Sequence, residues 1–150
     1  MDFITGLFNM DFTALVPNLN TMLGLIRFLL SMLLLAGPLS LLILGFMYRF
    51  MAPPEANYKF GFRTYFGMGS VEAWRFSQRI AGIAFGALGL ILLVIALIVD
   101  LTFIGKDTYE MASSAMVCLL WQLGLIAVVR LGIAILCAKF FTADGSRRQS

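Results

Sequence analysis

Three long runs of apolar residues limit what this chain can fold into. They lie between Arg27 and Arg49, between Arg79 and Asp100, and between Glu110 and about Ala138. About 20 apolar residues in a helix cover a hydrocarbon core of roughly 30 Å. Since 61% of the 150 residues are hydrophobic and only 13% are charged, a soluble fold of this length could not bury them. The sequence therefore predicts an all-α integral membrane protein with three transmembrane helices, at about 27–50, 79–100 and 110–138.

The two ends of the chain are expected to differ from this membrane domain, which we assign to residues 18–141. Apolar residues among the first 17 recur at helical spacing, opposite Asp2, Asn9 and Thr13. This pattern is typical of an amphipathic helix in the membrane interface, and an interfacial segment is predicted at 1–17, with disorder as the alternative. The tail, residues 142–150, is small, polar and basic, and is predicted to be flexible.

Basic residues concentrate on one side of the predicted spans. The connection between the first two spans contains Arg49, Lys59, Arg63, Arg75 and Arg79 against two acidic residues, and the C-terminal end adds Lys139, Arg147 and Arg148. The connection at 100–110 has one Lys and three acidic residues. Because cytoplasmic loops carry an excess of Lys and Arg, the long connection and the C-terminus are predicted to be cytoplasmic and the N-terminus to be outside.

The connection at residues 51–78 is polar, basic and rich in glycine, and we call it the motif loop. Pro53 and Pro54 are expected to end the first helix, because proline cannot continue the hydrogen-bond ladder. Asn57 can bond to nearby backbone and hold a turn, and Gly61 permits a positive φ or a close approach. Arg63 offers a planar fork of donors suited to carboxylates, phosphates or backbone carbonyls.

The second helix is predicted to start within the motif loop. Ser70 is suited to the N-cap and Glu72 to the positive first turn, so that the helix begins at about Val71. Trp74 then lies one turn into the helix, and we expect its ring to face lipid and its N–H to face the headgroups. The motif loop is thus predicted to be a compact re-entrant or interfacial turn held by Arg63 and Trp74.

Glycines of the second span predict close helix packing. Gly82 and Gly86 form a GxxxG pattern and Gly89 extends it, a spacing that lets another helix backbone approach. Packing within the same subunit is favoured, and homodimerisation is the alternative. In the first span, Pro38 follows Gly37 near the middle of the membrane and predicts a bend.

The third span contains Gln122 and Arg130. A charged side chain at the centre of a span costs about 2.5–3.5 kcal/mol on insertion scales. Arg130 lies about 13 Å along the helix from Lys139. If Lys139 marks the membrane boundary, Arg130 is inside the membrane; alternatively the span ends at Arg130 and residues 131–141 continue as an apolar helix that needs cover. In both cases Arg130 approaches the cytoplasmic side, where Glu55 and Glu72 are candidate partners.

Several kinds of chemistry lack the residues that they need. The chain has no His and only two Cys, and contains no CxxC pair and no phosphate-binding loop. No metal or cofactor is therefore expected. An enzyme that clamps a lipid phosphate with Arg63, Arg79 and Arg130 would also need a base or nucleophile, for which only Glu55 and Glu72 are near. The sequence predicts a protein that is not an enzyme.

The motif loop resembles the signature of SdpI-type membrane proteins. The matching residues are Asn57, Gly61, Phe62, Arg63 and Thr64, followed by Ser70, Trp74 and Gly82. Gln78 stands near a position where many relatives carry Asn, and it keeps the amide. The similarity extends over about 47–90.

This resemblance implies a bacterial cytoplasmic-membrane immunity protein that neutralises a secreted peptide toxin and signals to a small cytoplasmic repressor. It also implies a binding site formed by Asn57, Gly61, Arg63, Thr64 and Trp74, with Arg79 and Arg130 as neighbouring charges. The alternative is that these residues only fold the turn. Expected partners are membrane lipids, the toxin, the repressor and a homo-oligomer or larger complex, without direct nucleic-acid binding. Rival functions are an accessory or scaffold subunit and a lipid-headgroup binding protein.

Overall fold

Three long helices form the architecture in the computed structural model, which describes residues 19–57 and 59–148. They are α1 (Leu19–Phe50), α2 (Val71–Leu101) and α3 (Thr108–Phe140). Each is long and apolar enough to cross a membrane, which confirms, for the described residues, the prediction of an all-helical fold with three helices of spanning length. The predicted interfacial segment at residues 1–17 lies outside the described residues.

Local sequence signals set the start of the second and third helices. The Ser70 side chain accepts a hydrogen bond from the Ala73 N–H, and Asp107 accepts one from Glu110 in the same way. These side chains satisfy N–H groups that a helix start leaves without a partner. The predicted N-cap of the second helix at Ser70 is therefore correct, and residues 71–78 of the motif loop form the first two turns of α2.

Glycines bring α1 and α2 into close contact. A Cβ atom at Gly45 would lie 2.6 Å from the Gly86 nitrogen, one at Gly82 would lie 2.8 Å from the Arg49 Cβ, and one at Gly89 would lie 2.9 Å from the Leu42 nitrogen. Only glycine permits backbones to approach this closely. The GxxxG face thus packs within the chain, the first of the two alternatives given above.

A polar contact ties α3 to the proline-containing part of α1. Pro38 has no N–H, so the Leu34 carbonyl lacks its usual helical donor. Gln122 Nε2 donates to that carbonyl oxygen at 3.2 Å. Gly37 makes room for the amide, because a Cβ there would lie 2.5 Å from Gln122 Oε1. Pro38 of the first span and Gln122 of the third, which are far apart in the sequence, therefore belong to one interaction.

Two clusters of buried apolar side chains lie along the bundle. One, at the end that carries the motif loop (the loop end), includes Leu41, Phe62, Phe85, Ile133 and Cys137. The other, near the connection between α2 and α3, includes Leu34, Ala96, Phe103, Met111 and Ala115. Because Phe62 belongs to the first cluster, the motif loop contributes to the core of the bundle.

The tail differs from the flexible end that the sequence predicted. The Arg148 N–H donates to the Phe140 carbonyl and the Thr142 N–H donates to the Ser146 carbonyl, each at 2.9 Å. Ser70 Oγ donates to the Gly145 carbonyl at 2.7 Å. Residues 141–148 therefore form a turn that docks on the start of α2. Composition missed this turn because its contacts use backbone atoms and glycine.

Candidate functional site

The motif loop begins with a turn held by Asn57. Its Oδ1 accepts hydrogen bonds from the N–H groups of Lys59 at 3.0 Å and Phe60 at 2.9 Å. An Asn side chain that bonds to the backbone two and three residues later replaces a backbone turn. Asn57 thus bonds to nearby backbone, as the sequence predicted, and its carbonyl oxygen is used inside the loop.

Gly61 meets two requirements that no other residue type can meet together. Its φ is 125°, a conformation that L side chains rarely adopt. A Cβ at this position would also lie 2.5 Å from Trp74 Cζ2. Both the positive φ and the close approach considered from the sequence are present.

The position of Trp74 corrects the prediction that its ring faces lipid. The residue is 0% exposed, and its Nε1 donates to the Pro53 carbonyl oxygen at 2.8 Å. The loop folds back over the first turn of α2, so the indole is enclosed and its N–H is paired inside the protein. Trp74 therefore joins the beginning and the end of the motif loop.

Gln78 binds the backbone of Phe62 at both polar groups. Its Oε1 accepts from the Phe62 N–H at 2.8 Å, and its Nε2 donates to the Phe62 carbonyl at 2.7 Å. Gln78 is 3% exposed, so these bonds satisfy groups that water does not reach. The amide at this position is visible in the sequence, but its partner, 16 positions earlier, is not.

Phe62 carries the loop into the helix bundle. Its ring centroid lies 5.5 Å from that of Phe85 on α2 and 6.0 Å from that of Tyr48 on α1. Aromatic pairs at these distances add to the stabilisation from burial. Phe62 therefore anchors the loop in the helix bundle, a role that the motif pattern alone did not indicate.

Thr64 also works inside the loop. Its Oγ1 accepts a hydrogen bond from the Gly67 N–H at 3.0 Å. This bond joins Thr64 to the short 3-10 turn at Phe66–Met68. Asn57, Gly61, Thr64 and Trp74 are consequently all used to fold the motif loop.

Arg63 is different, because its side chain is exposed. It lines a cleft of about 360 Å³ together with Arg130 of α3, and we call this the Arg63–Arg130 cleft. Its remaining lining is apolar or aromatic, from Leu41, Leu44, Tyr48, Gly61, Phe62, Phe85 and Ile126. The fold therefore brings together two cations that are 67 positions apart in the sequence.

The structure also shows how the apolar part of α3 beyond Arg130 is covered. Ile133 and Cys137 are 3% and 0% exposed, respectively, and belong to the loop-end cluster that contains Phe62. The cover that this segment needed thus comes from the motif loop and from α2.

Arg79 does not join this cleft. It lines a separate cleft of about 330 Å³ with Phe76, Phe140 and Arg147 among its neighbours. Glu72 lines the same cleft and lies 3.7 Å from Arg147, with both side chains largely exposed. Glu72, one of the two candidate partners for Arg130, thus pairs with Arg147 instead, and within the described parts of the chain this is the only ion pair.

Residues 19–57 and 59–148 contain no group of three His, Cys, Asp or Glu side chains that could hold a metal ion. Cys118 and Cys137 are free and buried. The expectation that the protein uses no metal or cofactor stays a prediction.

Comparison with known proteins gives one finding. The model of the SdpI/YfhL protein family matches residues 55–138, which include most of the motif loop, α2 and nearly all of α3. No curated protein and no solved structure matches the chain. The match extends over more than half of the sequence, and it contains the Gly61–Trp74 and Gln78–Phe62 contacts described above. The chain therefore belongs to the SdpI/YfhL family of membrane proteins.

Proposed function

We propose that this protein is a membrane immunity receptor without catalytic activity. It neutralises a secreted peptide toxin at the bacterial cytoplasmic membrane, and it binds a small cytoplasmic repressor through the motif loop. The family match supports this proposal at the level of the family. A difference between the motif residues supports it further, since most of them bond inside the loop and Arg63 is exposed.

Most motif residues hold the loop, and Arg63 is the one whose side chain is available to a partner. Asn57, Thr64 and Trp74 use their polar atoms on loop backbone, whereas Arg63 is exposed beside them. A guanidinium on a rigid support is suited to binding a carboxylate with two parallel hydrogen bonds. A loop fixed in this way loses little conformational entropy when a partner binds.

Exposed cations at the loop end favour an acidic partner surface. Lys59 and Arg75 are exposed on the motif loop, and the tail places Arg147 and Arg148 at the same end of the bundle. Such a basic surface steers the approach of acidic proteins and raises the association rate.

The orientation in the membrane is part of the proposal: the loop end is cytoplasmic and the N-terminus is outside. Single cysteines at Ala56 and Ile104, labelled from outside with an impermeant maleimide, test it. Both positions are exposed, whereas the native Cys118 and Cys137 are buried. We expect labelling at position 104 only; labelling at position 56 in intact cells would reverse the orientation.

The alternative is an accessory or scaffold subunit of a larger membrane complex. Cross-linking in native membranes, followed by mass spectrometry of the captured chains, separates the two. The receptor proposal predicts capture of a small secreted peptide or a compact repressor, and loss of the repressor in Arg63→Gln but not in Met51→Gln, a change at another exposed loop position. Capture of only large membrane subunits in fixed ratio would support the scaffold function.

A further inference from the structure

We infer that the Arg63–Arg130 cleft binds one anionic phospholipid from the leaflet at the loop end. The guanidinium groups would hold the phosphate, and the apolar lining would hold the adjoining part of an acyl chain. This inference goes beyond the receptor proposal and does not depend on it.

Every part of the helix bundle contributes to the cleft. Its lining comes from α1 at Leu41 and Leu44, from α3 at Ile126, and from α2 at Phe85. The motif loop adds Gly61 and Phe62. The two cations come from the loop and from α3.

The lining of the cleft is amphipathic. From Leu41 to Tyr48 the cleft extends about 10 Å along α1, and it combines two guanidinium groups with apolar and aromatic side chains. A phospholipid combines the same two chemistries, a charged headgroup and apolar acyl chains. The volume of about 360 Å³ suits a phosphate and part of one chain, with the rest of the lipid in the bilayer.

The cleft has an unbalanced positive charge. No carboxylate is among the cleft's described lining residues, and the one ion pair in the described ranges joins Glu72 to Arg147 instead. Two like charges in a shared cleft next to lipid repel each other, and a cation in a span is unfavourable without a counter-ion. A phosphate between the two guanidinium groups would remove both costs, since guanidinium binds phosphate with two hydrogen bonds.

Native mass spectrometry of the purified protein tests this inference, with phosphatidylglycerol and phosphatidylcholine of identical acyl chains as probes. We expect one phosphatidylglycerol molecule to be retained about tenfold more tightly than phosphatidylcholine. Arg63→Gln and Arg130→Gln should each reduce that preference by about three- to tenfold. The double variant should reduce the preference by less than the product of the two single reductions, because both groups bind the same phosphate.

Matched variants separate binding from folding. Lys139→Gln removes one cation from an exposed position at the end of the same helix and should leave lipid retention unchanged. Arg63→Lys and Arg130→Lys keep the charge and should retain an intermediate preference. Leu44→Trp fills the apolar part of the cleft without changing its charge, and it should weaken the binding of both lipids. Circular dichroism and thermal melting check that each variant is folded.

Three results would overturn the inference. One is equal retention of phosphatidylglycerol and phosphatidylcholine by the wild-type protein. Another is that Lys139→Gln reduces the preference for phosphatidylglycerol as much as Arg130→Gln does. The third is binding of a soluble acidic peptide that requires both arginines while phosphatidylglycerol retention does not, since the cleft would then be a peptide site.

Discussion

The side chain of Gln78 pairs with both backbone polar groups of Phe62, accepting from its N–H at 2.8 Å and donating to its carbonyl at 2.7 Å. The pair resembles one rung of a β-ladder, built between a helix side chain and a loop. It fixes Phe62 in the core and thereby sets the position of Arg63, the next residue. The orientation of the exposed cation consequently depends on a buried amide.

Replacing Gln78 with Glu tests this contact. A carboxylate keeps the acceptor for the Phe62 N–H but has no donor for the carbonyl, and it places a charge at a position that is 3% exposed. We expect the free energy of unfolding to fall by about 3 kcal/mol. Thermal melting in detergent measures the change. Gln78→Asn keeps both groups on a shorter side chain and should cost less; an equal loss in both variants would contradict the paired-bond explanation.

Gly61 and Gly105 form a matched pair for testing the close approach to Trp74. Both have a positive φ, of 125° and 79°, but a Cβ at Gly105 would meet nothing within 4 Å. Gly105→Ala should therefore cost only the backbone strain, about 1 kcal/mol. Gly61→Ala adds a steric clash, and we expect it to cost at least about 3 kcal/mol. Similar melting temperatures for the two variants would exclude a tight indole contact.

The glycines between α1 and α2 should respond unequally to substitution. A Cβ at Gly45 would lie 2.6 Å from backbone nitrogen of Gly86, whereas a Cβ at Gly86 would meet nothing within 4 Å. Gly45→Ala should push the helices apart and destabilise the protein by about 2 kcal/mol. Gly86→Ala should be neutral or slightly stabilising, because alanine favours helix. If Gly86→Ala were the more damaging change, α2 would use its GxxxG face for another chain.

The contact between Gln122 and the Leu34 carbonyl predicts coupling between Gln122 and Pro38. Pro38→Ala supplies the missing N–H in α1, so the carbonyl no longer needs the amide of α3. Gln122→Leu should then cost less in the Pro38→Ala background than in the wild-type protein, by about 0.5–1.5 kcal/mol. A double-mutant cycle measured by unfolding in mixed detergent gives this coupling energy. Additive effects would mean that the two residues act independently.

Local signals predicted much of this fold and less of the site. The apolar runs predicted three spanning helices, Ser70 predicted the start of α2, and Asn57 and Gly61 predicted a turn, because each of these depends on neighbouring residues. Trp74 was misplaced because its surroundings are set by Pro53, which lies 21 positions earlier.

Other contacts depend on partners that are distant in the chain. The docking of Gly145 on Ser70 and the pairing of Gln122 with Leu34 join positions 75 and 88 residues apart, respectively. A single sequence shows that Gln122 is polar within a span, but it does not show which carbonyl the amide reaches. The shared cleft of Arg63 and Arg130 has the same origin, since only the packed bundle brings the two together.

Arg63 separates recognition from folding within the motif loop, because it is exposed while its motif neighbours hold the loop. The measurement is capture of the cytoplasmic repressor by cross-linking in native membranes that contain Arg63→Ala, compared with wild type and Lys59→Ala at equal membrane levels and equal melting temperatures. We predict that Arg63→Ala loses the repressor while inserting and melting normally, and that Lys59→Ala retains most of it. Full capture by a normally folded Arg63→Ala variant would contradict recognition by Arg63 and would leave the motif loop a structural turn.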